Sequence, residues 1–227
     1  MTENSPLSPH AALWLLVACV AIVNIVRSVV VPNDWHFLLN VSLGLVGVAI
    51  AALGGMGVGE MGLSSTDLAS GLRLGGIAFA AVSAVVISGG LLGLVADDRT
   101  HMSMTSMLLK VLIVIPIGTV IVEELLFRSA LHGLLMRLWP GWPAVVIGSL
   151  LFGLWHVFPA SQGDAVSTDA VEVGSLLTVL ATFVATSIAG GLFIWMRERS
   201  NSVVAPMLAH LATNSVTFYV AWLFGAR

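Results

Sequence analysis

Seven stretches of about twenty predominantly apolar residues follow one another along this chain, and that repetition limits its fold more than any other feature. A segment of that length can cross the hydrocarbon core of a bilayer. There an unpaired backbone polar group is too costly for anything but a helix or a closed barrel. Apolar length predicts helices over roughly 11–31, 37–58, 74–96, 104–122, 142–160, 174–196 and 203–224. No breaker follows Pro116, so the fourth helix is expected to run on to near Leu138, with Pro116 as a candidate kink. The expected fold is all-α: a polytopic membrane bundle of about seven transmembrane helices, forming one domain over 1–227.

Composition agrees with that reading. Of 227 residues, 58% are hydrophobic and 9% charged, against about 25% charged in a soluble domain. The net charge is −3 and basic residues are sparse, which argues against nucleic acid as a partner. Cys19 is the single cysteine, so an intramolecular disulfide and a cysteine-based metal site are excluded. Leu16-Val17-Ala18-Cys19 has the look of a lipoprotein signal box. However, no Lys or Arg precedes it and the apolar run continues to Val31, which favours an uncleaved first transmembrane helix.

The connections are short. Pro32-Asn33-Asp34 and Asp97-Asp98-Arg99 close the first and third spans, and Pro140-Gly141 makes a tight turn after the fourth. Residues 60–73 carry Leu63, Leu68 and Leu72 among polar neighbours, as a short interfacial helix or an ordered loop would. With the N-terminus on one side, that side collects Arg73, Arg137, Arg197 and Arg199. The other side has Arg99, Lys110 and Arg227, and an acidic loop over 159–173 with Asp164, Asp169 and Glu172. The positive-inside rule then predicts a cytoplasmic N-terminus.

Charge inside a span is the exception that asks for a function. Glu123, Glu124 and Arg128 lie in an otherwise apolar helix, and each charge at membrane depth costs roughly 2.5–3.5 kcal/mol on insertion scales. His132 follows on the same stripe. The fifth span holds Phe152 and His156 four residues apart, and the seventh holds His210 and Asn214 four apart. Residues at that spacing share a helix face, so Glu124 can pair with Arg128 while His210 and Asn214 point together. Glu124 lies 16 residues before Pro140 and His156 lies 16 after it. In antiparallel helices both are therefore about 24 Å from the turn. Counted from Ser200, His210 and Asn214 lie at about 15 and 21 Å. The polar groups thus fall in one layer.

Each residue also has a plain structural reading. A lone His or Asn often glues membrane helices together, and an i,i+4 Glu–Arg pair can be a self-neutralised salt bridge. That leaves Glu123 unaccounted for, a second carboxylate beside the first. No HExxH and no GxSxG occurs, and Ser129, Ser149 and Ser215 sit in no nucleophile elbow. A carboxylate with an imidazole can activate water, and His and Asn side chains can donate to a developing oxyanion. These groups together could hydrolyse an amide by direct attack of water.

EELLFR (123–128), FGLWH (152–156) and HLATN (210–214) fit EExxxR, FxxxH and HxxxN motifs in that order. The chain thereby resembles the CPBP family, the type II CAAX prenyl endopeptidases and their bacterial Abi or bacteriocin-processing relatives. The likeness extends over about residues 60–224, with its core from 106 onward. Many members carry Gly after the motif arginine, where this chain has Ser129. The resemblance implies a glutamate-dependent intramembrane endopeptidase: Glu123 as general base acting with His156 on the attacking water, and His210 with Asn214 as oxyanion hole. Glu124 and Arg128 would be supporting residues, with Phe152 packed beside His156. It implies a peptide or protein substrate at the membrane, lipidated or not, and contact with lipid. No cofactor is expected; the alternative is a zinc ion on Glu123, His156 and His210. Two other readings are a non-catalytic scaffold or immunity protein that kept the fold, and a transporter or proton relay. No inverted repeat supports the last. The bareness of the chain suggests a bacterial plasma membrane.

Overall fold

The computed structural model describes residues 5–95, 100–161 and 176–224. Asp97-Asp98-Arg99, the acidic residues Asp164, Asp169 and Glu172, and Arg227 lie outside the described residues. Among the described residues seven helices are long and apolar enough to cross a membrane: α1 (Pro9–Val29), α2 (Asn33–Leu53), α3 (Ser65–Leu91), α4 (Met104–Leu138), α5 (Trp142–Ser161), α6 (Leu176–Ser200) and α7 (Val204–Phe224). All regular structure among the described residues is helical. Outward faces carry large apolar side chains such as Leu45, Val85, Ile113, Leu154 and Ile188. The polar atoms of Glu124, Arg128 and His210 are turned inward. That inversion is what a lipid solvent demands, and the chain is an integral, multi-pass membrane protein.

The helix limits depart from apolar counting where capping chemistry intervenes. The second helix was expected over 37–58, but it starts right after Pro32 and stops at Leu53. Gly55 then takes a φ of 82°, a left-handed turn that ends the helix before its apolar residues run out. The third was expected over 74–96 with 60–73 as a separate interfacial element. Instead Ser64 caps a one-turn 3₁₀ segment, its hydroxyl accepting from the Thr66 N–H. Leu68 and Leu72 belong to the first turns of α3. Arg197, expected at a loop, is buried within the last turn of α6.

At this end of the bundle residues 54–64 are tied down. Arg137 on α4 donates to both carboxylate oxygens of Glu60 and to the carbonyls of Gly54 and Gly55. The Arg197 guanidinium donates to the Glu60 carbonyl, and the Val203 N–H to the Gly62 carbonyl at 3.0 Å.

The fourth helix does continue to Leu138, as expected, but not as a uniform α-helix. It contains π-helical turns over Lys110–Val114, Pro116–Ile121 and Glu124–Leu131, and α7 contains another over Ala212–Val216. Each i→i+5 turn holds an extra residue, so side chains beyond it are rotated from their ordinary α positions; such turns recur at functional sites. Small residues then let neighbours close on α4. Gly44 and Gly47 of α2 lie against Val122 and Leu126. Asn40 donates to the Gly118 carbonyl at 3.0 Å, and Ser215 of α7 donates to the Val111 carbonyl at 3.0 Å. These contacts hold α4 between α2 and α7 at the level of the acidic pair.

Candidate active site

Glu123 and Glu124 are adjacent on α4 and so point to different neighbours. Glu124 is fully buried, and its Oε1 accepts from Arg128 Nη1 at 3.1 Å and from His210 Nδ1 at 2.8 Å. One carboxylate oxygen thus joins α4 to α7 and supports both a guanidinium and an imidazole. Glu123 Oε1 accepts from Trp155 Nε1 of α5 at 3.1 Å. Its other oxygen, Oε2, is buried without a hydrogen-bond partner among the described residues. It lies 3.8 Å from His156 Nε2 and 3.9 Å from His210 Nε2, beyond direct hydrogen bonding to either.

The surrounding bonds define the tautomers. The Phe152 carbonyl can only accept, so the His156 Nδ1 at 2.8 Å carries hydrogen and neutral His156 presents a lone pair at Nε2. Glu124 fixes His210 Nδ1–H in the same way. His210 Nε2 then accepts from Asn214 Nδ2 at 3.2 Å, which orients the amide, while the Thr213 hydroxyl donates to the His210 carbonyl at 2.8 Å. His156, with 27% of its side chain exposed, is more open than Glu123 or His210.

Aromatic rings close the site. Arg128 lies over the Phe152 ring, 3.9 Å from its centroid, and over Phe193 of α6 at 4.9 Å. Phe193 also stacks on His210 at 5.2 Å, and Phe152 meets His156 edge to face at 4.6 Å. Two glutamates, an arginine, two histidines and an asparagine from α4, α5 and α7 therefore come together, within the broad layer that rise per residue suggested.

His132 does not join them. It faces Glu198 of α6 at 3.2 Å, two turns from Glu124. Ser129 is fully buried, and its hydroxyl has no hydrogen-bond partner among the described residues. Trp155 and Phe193 were not singled out from sequence. Trp155 had a usable signal, an indole N–H one residue before His156, whereas Phe193 is one apolar residue among many.

Glu123, His156 and His210 stand further apart than ligands of one zinc ion would. Ligands at about 2.0–2.1 Å in a tetrahedron stand roughly 3.3 Å apart, closer than the 3.8 and 3.9 Å separations here. The His210 lone pair is already taken by Asn214. Among the described residues no group of three or more His, Cys, Asp or Glu side chains is disposed to hold a metal ion.

The family model described as Rce1-like, type II CAAX prenyl endopeptidase, matches residues 105–216, a segment that contains every residue of the constellation from Glu123 to Asn214. No curated protein and no solved structure matches the chain. Seven membrane-spanning helices, an intramembrane acidic pair facing two histidines, and this match converge. They support placing the chain with the Rce1-like, type II CAAX prenyl endopeptidases, as a CAAX-type intramembrane protease.

Proposed function

We propose that the chain hydrolyses a peptide bond of a membrane-associated, CAAX-like substrate by direct attack of water, with Glu123 as general base and no metal. The observation that carries this reading is the Glu123 Oε2 atom, unpartnered and 3.8–3.9 Å from two imidazole nitrogens. A water brought between that oxygen and His156 Nε2 would be polarised by both. The water loses a proton to Glu123 as its oxygen attacks the scissile carbonyl carbon. Glu123 then passes that proton to the departing amine nitrogen, yielding a carboxylic acid and an amine.

Charge developing on the carbonyl oxygen needs donors. Asn214 Nδ2 has a second hydrogen beyond the one engaged by His210, and a proton on His210 Nε2 would add another donor. Glu124, held by Arg128, steadies His210 in either state. Metal-independent activation is favoured by the same geometry that disfavours three-ligand zinc.

Our reading also puts the N-terminus in the cytoplasm of a bacterial cell. The clustering of Arg137, Arg197 and Arg199 at the α4 and α6 ends on that side supports it. To test the function, membrane peptides are compared between cells expressing the wild type and Glu123→Ala or His156→Ala. Cleaved products should vanish in both variants while the protein still inserts. Unchanged product profiles would sink the proposal, and parallel loss of protein and products would favour the scaffold reading.

A further inference from the structure

Glu123 needs more than a buried position to act as a base; its carboxylate must present one chosen oxygen. That choice is made by an indole. Trp155 sits at an unspecified position of the FxxxH pattern, yet its Nε1–H is bonded to Glu123 Oε1 at 3.1 Å with both residues buried. With Oε1 engaged, the carboxylate plane is set and Oε2 is the oxygen left facing His156 and His210.

Packing alone does not hold that indole still. A cavity of about 280 Å³ lies against it between α1, α4 and α5, walled by apolar residues including Leu16, Val20, Leu126 and Leu154. A ring with open space beside it can swing unless directional contacts prevent it. Three do. Asn24 of α1, itself buried, donates from Nδ2 to the Trp155 carbonyl at 3.0 Å across 131 residues of sequence. The Arg27 guanidinium lies 5.2 Å from the indole centroid, and the Phe127 ring sits at 5.9 Å, tilted 59°. Two of these three come from α1, which precedes the family-matched segment 105–216.

We propose that Trp155 is a positioning residue for Glu123, and that Asn24 on α1 braces it, making the first helix part of the catalytic apparatus. This rests on the reading of Glu123 as general base. Trp155→Phe keeps an aromatic ring and removes the N–H. In the full-length protein it should lower kcat about tenfold to a hundredfold with KM within about twofold, the range expected when a reacting group is misplaced by about 1 Å. Some lowering of the unfolding midpoint is expected for a buried Trp→Phe change, so the split between kcat and KM is the readout. Asn24→Ala should lose less in the same sense. The double variant should fall no further than Trp155→Phe alone, because both changes act through one bond.

The contact has a readout that does not need activity. The Trp155 indole ¹H–¹⁵N resonance, assigned by its disappearance in Trp155→Phe, should shift in Glu123→Gln, where a charged acceptor becomes neutral. An indole resonance indifferent to Glu123→Gln would overturn the proposal, as would wild-type kcat in Trp155→Phe. Full cleavage by Glu123→Gln would instead refute the base assignment itself, leaving the indole shift as a separate result.

Discussion

Arg128 offers the sharpest energetic test because its whole environment is specified. It is fully buried, its side chain donates among the described residues to Glu124 Oε1 at 3.1 Å, and its faces meet the Phe152 and Phe193 rings. Arg128→Met keeps most of the stem and removes the charge. Glu124, also fully buried, is then left with only His210 to offset a carboxylate in a low-dielectric interior. Breaking such a pair from one side costs about 3–5 kcal/mol. Lost cation–π contacts, roughly 0.5–2 kcal/mol each, overlap with that figure and do not simply add. The expected destabilisation is therefore about 3–5 kcal/mol, read by denaturant titration in mixed micelles with tryptophan fluorescence. Adding Glu124→Gln removes the stranded charge while an amide oxygen can still accept from His210. The double variant should recover to within about 1–2 kcal/mol of wild type. A single variant within about 1 kcal/mol of wild type, or a double variant no better than the single, would refute the buried-pair reasoning.

Three further outcomes follow from other parts of the molecule. Gly153→Ala would place a Cβ 2.9 Å from the Phe183 carbonyl and against Ser187 Oγ; wedging α5 from α6 should cost about 1–3 kcal/mol in thermal unfolding. It should also weaken cleavage, because His156 is three residues away. At the aqueous rim, burial alone would push the Glu60 carboxyl up, but its bonds to Arg137 and to the Gly57 N–H more than offset this and hold it below its ordinary 4.5. A depressed carboxylate stabilises above that ordinary value, and the contribution is lost as pH falls through the lower folded one. Protection of the Gly57 amide, corrected for intrinsic exchange, should therefore hold from pH 7 to about 5 and decline below about 4. The change should be no more than about 1 kcal/mol, because the pair is partly exposed, and it should be smaller in Arg137→Ala, where only the Gly57 N–H still bonds the carboxylate. Finally, cleavage should survive thorough chelation with metal analysis of the purified protein; loss restored by zinc would reverse the metal-independent reading.

What the sequence makes legible here follows from lipid as solvent. A carboxylate or guanidinium in a span must be inside the bundle and must be paired, so Glu123, Glu124, Arg128, His156, His210 and Asn214 identify themselves. Rise per residue then places them at one level. Apolar length is blunter: it overran α2 because Gly55, not hydrophobicity, ends that helix, and it started the third helix late because Ser64 caps it earlier. The π-helical turns of α4 and α7 depend on packing against other helices and have no local signature. Phe193 was hidden because, where every face of a helix is apolar, a ring on a histidine and a ring in lipid read alike. Asn24 and Asn40 were polar residues in spans that could have been flagged. Their bonds, to Trp155 and Gly118, cross 131 and 78 residues and no local pattern shows them.

The central claim is that Glu123 is the base and Glu124 is not. It is tested most directly by single-turnover cleavage of one defined membrane peptide by Glu123→Gln in the purified full-length protein, with unfolding measured on the same sample. General-base loss should reduce the rate by about 10²–10⁴-fold, with an unfolding midpoint close to that of wild type because the Trp155 N–H can still bond the amide oxygen. A Glu123→Gln protein that cleaves at the wild-type rate would contradict the account.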